Sequence, residues 1–207
     1  RQIKASFIVA YHPPIFEGLK QLDGQRALDR MVSQAMAESI SVYSPHTALD
    51  AVDGGVNDWL ASGLGQGTCT AWSPDEDASG GTARILVLDN PVGLPTMVQR
   101  VKKFLKRKTV RLAKAPGGPK RIQTIALCAG AGSSSFEGAD ADMYLTGEMR
   151  HHDVLAAVSK GTHVLLSEHT HTERGYLPLL RKKLRKELGT DVDIIVSRKD
   201  REPVDTV

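Results

Sequence analysis

A histidine and a glutamate four residues apart, His169 and Glu173, follow the apolar run 164–166 and precede an amphipathic helix pattern. A neutral imidazole and a carboxylate are suitable ligands for zinc, manganese or iron. The same residues are equally compatible with helix capping, in which Thr172 is the N-cap and the helix dipole favours Glu173. The pair taken alone leaves metal binding and capping open.

Two other apolar runs are followed by potential ligands. His12 ends the run that starts at Phe7, and Asp50 lies shortly after the run 40–43. Open α/β sheets bind ligands outside the carboxyl ends of their strands, so three such ends predict one shared site. A dinuclear hydrolytic site needs a bridging carboxylate, here Asp50, and terminal His and carboxylate ligands. Read singly, His12 could be a solvated loop residue and Asp50 could organise a turn. The predicted ligands are His12, Asp50, His169 and Glu173, for one or two ions of zinc, manganese or iron per chain.

The segment 148–153 is dense in titratable groups and could supply a general base, further ligands or contacts that orient a ligand imidazole. It could also be only a polar helix N-terminus. Glu148 and His152 are the predicted proton-transfer residues. The glycine- and serine-rich run 130–135 resembles a phosphate nest, but it matches neither G-x-G-x-x-G nor a P-loop.

Composition places the chain among ordinary globular proteins. It has 207 residues, of which 41% are apolar and 25% charged, enough for one large α/β domain or two small lobes. Neither a long apolar run nor a signal-peptide pattern is present, so no membrane span is expected. Two cysteines without C-x-x-C spacing indicate a reducing compartment, and we expect a cytoplasmic protein, with a nuclear or mitochondrial location also compatible. Because the sequence begins with Arg1 and not with Met, and a strand-like run starts within a few residues of it, we expect a fragment of a longer polypeptide.

Ten basic residues and no acidic residue occur between positions 100 and 121. Such a stripe could attract phosphate or nucleic acid, or it could be the solvated face of an amphipathic helix. No aromatic residues interleave the charges to stack on bases, so the helix face is the favoured interpretation and nucleic acid is not an expected partner.

Alternating strand and helix patterns predict an α/β fold with parallel or mixed sheets. The proline- and glycine-rich segment 115–119 is the predicted boundary between two lobes. The first lobe, 1–119, contains a variable loop 66–82 and a basic helix 94–108, and the second lobe is 120–207. Predicted strands lie at 6–12, 40–43, 84–88, 122–128, 143–145, 162–167 and 192–196. Predicted helices lie at 28–40 and 94–108, from 151 onwards, and over 177–188.

Several blocks of the chain resemble the Nif-three-like family, the NGG-interacting-factor-three proteins, some bacterial members of which are described as type-two GTP cyclohydrolase homologues. The blocks are Tyr-His-Pro-Pro-Ile-Phe (11–16), Val-Tyr-Ser-Pro-His-Thr-Ala-Leu-Asp (42–50), Gly-Gly-Val-Asn-Asp-Trp-Leu (54–60), Leu-Thr-Gly-Glu-Met-Arg-His-His-Asp (145–153), Glu-His-Thr-His-Thr-Glu-Arg-Gly-Tyr-Leu (168–177) and Val-Ser-Arg-Lys-Asp-Arg-Glu-Pro (196–203). Together they cover most of the chain outside the loop and the basic helix.

The resemblance implies two α/β lobes with a dinuclear metal site in a cleft between them, a ring-like homo-oligomer, and His12, Asp50, His169 and Glu173 as ligands. It favours a hydrolase for a small phosphorylated or nucleotide-like substrate. The alternative is a non-enzymatic interaction protein, a transcriptional co-regulator or scaffold, with a structural metal and protein partners. Bacterial members carry two adjacent histidines where this chain has Tyr11 and His12, which implies two weakly held ions or a single ion. Members also begin with an Asp-Asn-x-Gly block that this sequence lacks. The resemblance therefore implies that the N-terminal part of the first sheet is missing from this sequence.

Overall fold

The computed structural model describes residues 4–74, 81–200 and 202. The chain divides into two units, Arg1–Leu49 and Asp50–Val207, and each is described by itself. No helix among the described residues is long and apolar enough to cross a membrane.

The first unit is a small β-α-β arrangement. Strand β1 (Phe7–Val9) pairs in parallel with β2 (Ser41–Tyr43), and helix α1 (Ala27–Ala37) connects them. The buried Asp29 carboxylate in the first turn of α1 accepts hydrogen bonds from Arg26, one of them at 2.7 Å. The sequence predicted all three elements, although β1 is shorter than the predicted strand 6–12.

The second unit is built on a mixed six-stranded sheet with the strand order β3-β4-β6-β7-β8-β5. Strands β6, β7 and β8 run parallel to one another, and the remaining pairings are antiparallel. The strands are β3 (Gly67–Trp72), β4 (Ala83–Gly93), β5 (Arg111–Ala113), β6 (Arg121–Ala131), β7 (Met143–Glu148) and β8 (His163–Leu166). The predicted α/β class with a mixed sheet is confirmed.

The parallel strands form the centre of the core. Leu127, Met143, Leu145 and Leu165 have no exposed surface, and each such side chain contributes about 1.5–3 kcal/mol through its burial. A parallel sheet covered on both faces requires near-continuous apolar strands, which is why the sequence pattern located β6 to β8.

The remaining helices are α2 (Ala48–Ala51), α3 (Val56–Ser62), α4 (Leu94–Phe104), α5 (His151–Ser159) and α6 (Leu177–Leu188). Of these, α3, α4 and α5 contact strands of the sheet. Helix α4 buries Leu94, Met97 and Val101, while Lys102 and Lys103 lie in its last turn, where they complement the helix dipole. The basic stripe thus includes the outer face of an amphipathic helix.

Three features differ from the sequence-based expectations. The predicted lobe boundary at 119 falls inside the six-stranded sheet, because β4 pairs with β6 across it, for example Arg84 with Leu127. Within the predicted loop 66–82, residues 67–72 form β3, an edge strand whose exposure hides any apolar alternation. Residues 75–80 of that loop lie outside the described residues.

The third difference concerns the predicted last strand. Residues 192–196 belong to no strand in the described range 189–200. The edge of β8 is already paired with β5, a three-residue strand that the sequence pattern did not reveal. Strands β5 and β8 are separated by about fifty residues along the chain, so the local periodicity of either segment does not predict that they pair.

Candidate metal centre

The candidate site lies at the carboxyl ends of the three parallel strands. Strand β7 ends at Glu148, and β8 is followed by a 3-10 turn, Thr170–Thr172, with His169 before it and Glu173 after it. Glu168, between β8 and this turn, has φ of 64°, a left-handed conformation that non-glycine residues rarely adopt and that concentrates at functional sites. The second unit therefore follows the rule that open α/β sheets place ligands at strand ends.

The His169 imidazole is held between two carboxylates. Its Nδ1 lies 2.6 Å from Glu148 Oε1, and its Nε2 lies 3.0 Å from Glu173 Oε1. Glu173 is buried and Glu148 is exposed. A carboxylate on Nδ1 fixes the tautomer and the ring orientation of a metal-ligating histidine, which leaves Nε2 as the ligand atom. His169 and Glu173 belong to a group of side chains that could hold a metal ion.

Electrostatics at this site favour positive charge. The hydrogen bond that the ring donates to Glu173 is the main cause that raises the pKa of His169 to about 9; the hydrogen bond to Glu148 also raises it, and partial burial of the ring lowers it. The imidazole consequently carries a proton at neutral pH unless a cation replaces that proton. The same two carboxylates that stabilise the imidazolium would stabilise a divalent ion.

Two glycines make room for these side chains. A Cβ at Gly130, whose φ is 69°, would lie 2.6 Å from Glu173 Oε1 and 2.9 Å from His169 Nε2. A Cβ at Gly147 would lie 2.6 Å from the His169 Cα. The Gly130 amide donates to Thr172 Oγ1 at 2.8 Å, so the end of β6 is bonded directly to the turn. Any larger residue at Gly130 would occupy the space between the two donor atoms.

Asp50 is buried in the same unit and is positioned through Asn57. The Asn57 Nδ2 donates to the Asp50 carbonyl at 3.3 Å, and its Oδ1 accepts from the Ala129 amide at 2.7 Å. This fully buried amide therefore connects the Asp50 segment to the end of β6. Burial, with further contributions from the carboxylates of Asp50 and Glu173, raises the pKa of the Cys128 thiol to about 12.

The remaining predicted residues are His12 and His152. His12 belongs to the first unit, where its ring lies 4.9 Å from that of Tyr11 and 5.4 Å from that of His46. His152 is exposed on α5, with its ring 5.7 Å from that of His151. Within the second unit, His169 contacts both Glu148 and Glu173.

Several positioning contacts were not foreseen from residue types. The Arg174 guanidinium pairs with the Asp200 carboxylate at 2.9 and 3.0 Å, and Thr170 Oγ1 contacts Glu202. These contacts attach the C-terminal segment to the turn of the candidate site. The only sequence signal was the block 196–203, of which residues 201 and 203 lie outside the described residues. Asn57 and Gly130 were likewise missed as site-forming residues, although Asn57 stands within the block 54–60.

The model of the Duf34/NIF3 (NGG1p interacting factor 3) family matches residues 1–203. The chain belongs to this family. The Schizosaccharomyces pombe protein NIF3 homolog is 42% identical over 214 residues, which span 98% of this chain and 77% of the relative. The Bos taurus NIF3-like protein 1 is 33% identical over 297 residues, with 100% of this chain and 78% of the relative covered.

The fold is that of solved structures related to this family. A Staphylococcus aureus hypothetical protein superposes with a TM-score of 0.79 at 21% identity, over 98% of this chain and 80% of the other. The family model and the similar relatives confirm the family resemblance of the sequence blocks, and the structural match shows the shared fold.

Proposed function

We propose that this NIF3-family chain is a metal-dependent hydrolase that acts on a small phosphorylated or nucleotide-like substrate. The observation that supports the proposal is the His169 ring, whose Nε2 lies 3.0 Å from the buried Glu173 Oε1 while Glu148 binds Nδ1. This is the arrangement in which a histidine and a carboxylate present two donor atoms to one cation.

The donor set fits a divalent ion of the zinc, manganese or iron type. His169 and Glu173 would hold the ion. Because glycine has no side chain, Gly130 leaves space beside both donor atoms. Asp50 and His12 are further predicted ligands on the strength of the sequence blocks. A bound ion of this type supplies a Lewis acid and lowers the pKa of a coordinated water.

The chain's own residues have separable tasks. Glu148 accepts the hydrogen bond from Nδ1 and so presents Nε2, and its exposed carboxylate also makes it a candidate proton acceptor. His152, exposed on α5, is the second proton-transfer candidate. Gly130 and Asn57 hold the strand end and the Asp50 segment in register with the turn.

Metal content per chain tests the proposal. We would purify the protein without chelator or nickel affinity, measure metal by elemental mass spectrometry, and repeat the measurement after reconstitution with zinc, manganese or iron. The wild type should hold one or two ions, and the double variant His169→Ala/Glu173→Ala should hold none. A matched control, His151→Ala/Glu187→Ala, removes an exposed histidine and an exposed glutamate and should retain the metal.

The outcomes separate the two functional hypotheses. Stoichiometric metal in the His169/Glu173 double variant would contradict the ligand assignment. No metal in the wild type, even after reconstitution, would favour the interaction protein over the hydrolase. With metal bound, Glu148→Gln should weaken metal affinity by about 10–100-fold, and phosphoesters and nucleotides are the substrates to screen.

A further inference from the structure

A cavity of about 150 Å³ lies on the side of β8 that pairs with β5. Its walls come from the segment between α4 and β5 and from the end of β8, and they include both apolar and polar side chains. The polar lining residues are Arg107, Thr109, Arg111, Ser167, Glu168 and His171. None of these residues is a predicted metal ligand or proton carrier.

A buried hydroxyl in the cavity wall is left without a partner. Ser167 is 3% exposed, and its Oγ makes no hydrogen bond to any residue that the structure describes. Its backbone amide is used within the fold, since it donates to the Thr146 carbonyl at 3.1 Å. Buried hydroxyls are normally paired, so this one points to a partner outside the described residues, such as a bound ligand. A hydroxyl can donate its proton to an acceptor bound in the cavity.

The charge of the cavity favours an anion. Two arginines, Arg107 and Arg111, line the cavity. The Nε of Arg111 lies 3.2 Å from Glu168 Oε1 in an exposed ion pair, so the charge of Arg111 is balanced by that carboxylate. Arg107 makes no ion pair with the residues described in 4–74, 81–200 and 202. Two arginines against one carboxylate leave a net positive charge. A guanidinium presents a planar fork of donors that matches phosphate geometry.

The volume limits the ligand to a small group. Pockets for whole drug-sized ligands measure about 300–1,000 Å³, so a cavity of about 150 Å³ suits one phosphate-type group and not a complete nucleotide. We propose that this cavity between β5 and β8 binds a phosphate-type oxyanion, with Ser167 Oγ as a buried donor and Arg107 and Arg111 as its cationic partners. The ligand is either free phosphate or the phosphoryl group of a monoester.

The proposal goes beyond the hydrolase and does not depend on a bound metal. We would titrate the full chain with inorganic phosphate, and separately with glycerol 3-phosphate, by isothermal calorimetry at constant ionic strength in chloride. Arg107→Gln should weaken binding about tenfold or more, because it removes a charge-assisted contact. Ser167→Ala should weaken binding severalfold. This variant should fold normally, because it deletes a hydroxyl that has no partner among the described residues.

Two controls separate this cavity from other sources of affinity. Lys103→Gln removes an exposed positive charge on α4 and should leave binding unchanged. His169→Ala/Glu173→Ala should also retain phosphate binding, since an anion bound through a metal ion would be lost in that variant. Loss of binding there would overturn the cavity proposal, whether or not the wild type holds metal.

The remaining outcomes are equally decisive. Phosphate binding that is absent in the wild type, or that is unaltered by both Ser167→Ala and Arg107→Gln, would overturn the proposal. If Arg107→Gln fails to fold, Ser167→Ala alone decides. Tighter binding of glycerol 3-phosphate would identify a phosphomonoester as the ligand class, and tighter binding of inorganic phosphate would identify the free ion.

Discussion

Replacement of Arg84 by methionine should lower the free energy of unfolding by about 3–5 kcal/mol. Arg84 is 1% exposed near the start of β4, and its Nε lies 2.6 Å from Asp58 Oδ1. Methionine retains part of the buried volume but leaves the Asp58 carboxylate without its cation. The loss of one partner from a buried ion pair costs more than the pair itself contributes.

The hydrogen bonds from Arg84 to backbone carbonyls give a similar estimate of the lost free energy of unfolding. Its Nη1 donates to the carbonyls of Gly81 and Ala83 at 2.8 and 3.0 Å, and its Nη2 donates to those of Ala51 and Val52 at 2.9 and 3.2 Å. A net contribution of about 1 kcal/mol for each of four hydrogen bonds sums to about 4 kcal/mol. For a chain of this size, such a loss corresponds to a fall in Tm of roughly 6–20 °C.

Urea denaturation followed by circular dichroism measures the effect, with thermal melts as a second probe. The matched control is Arg150→Met, which breaks an exposed pair with Asp153 at a similar distance, 2.8 Å, and should change stability by less than about 1 kcal/mol. A loss for Arg84→Met no greater than that of the control would refute the reasoning. It would show that the buried guanidinium network contributes little net stability.

Two further predictions concern single side chains. Gly130→Ala should weaken metal binding at least about tenfold and destabilise the fold by about 1–3 kcal/mol, because its Cβ would meet both donor atoms at a positive φ. Gly117→Ala, which has φ of 71° and nothing within 4 Å, is the control for the backbone cost alone, and equal metal affinity in the two variants would contradict the prediction. Although Cys69 is exposed on β3, partial desolvation of its thiol and the neighbouring Asp58 carboxylate raise its pKa to about 11, so its rate of alkylation by iodoacetamide should keep rising from pH 8 to about pH 11. The buried Cys128, whose pKa is about 12, should react more slowly still, and a plateau for Cys69 near pH 9 in peptide mass spectrometry would show that its thiolate is not disfavoured.

The sequence by itself determined the family, the α/β class and the central strands. Parallel strands β6 to β8 are covered on both faces, so their apolar runs are continuous and their ends are marked by glycine and charged residues. The predicted ends of β7 and β8 identified Glu148, His169 and Glu173 as candidate site residues. These residues could be predicted from the sequence because metal binding needs specific side-chain atoms, and because a parallel sheet binds ligands at the carboxyl ends of its strands. Their assignment as metal ligands and proton carrier stays a prediction.

Only the tertiary structure decided which strands share a sheet and what surrounds the candidate ligands. Strand β3 is an exposed edge and β5 has three residues, so neither carries a periodic signal. The pairing of β4 with β6 crosses the predicted boundary at 119, and residues 192–196 form no strand in the described range 189–200. Asn57 and Gly130 acquire their roles from residues more than forty positions away, Ala129 and Thr172 respectively. Long-range contacts of this kind depend on how the folded chain brings distant segments together, and no local spacing of residue types encodes them.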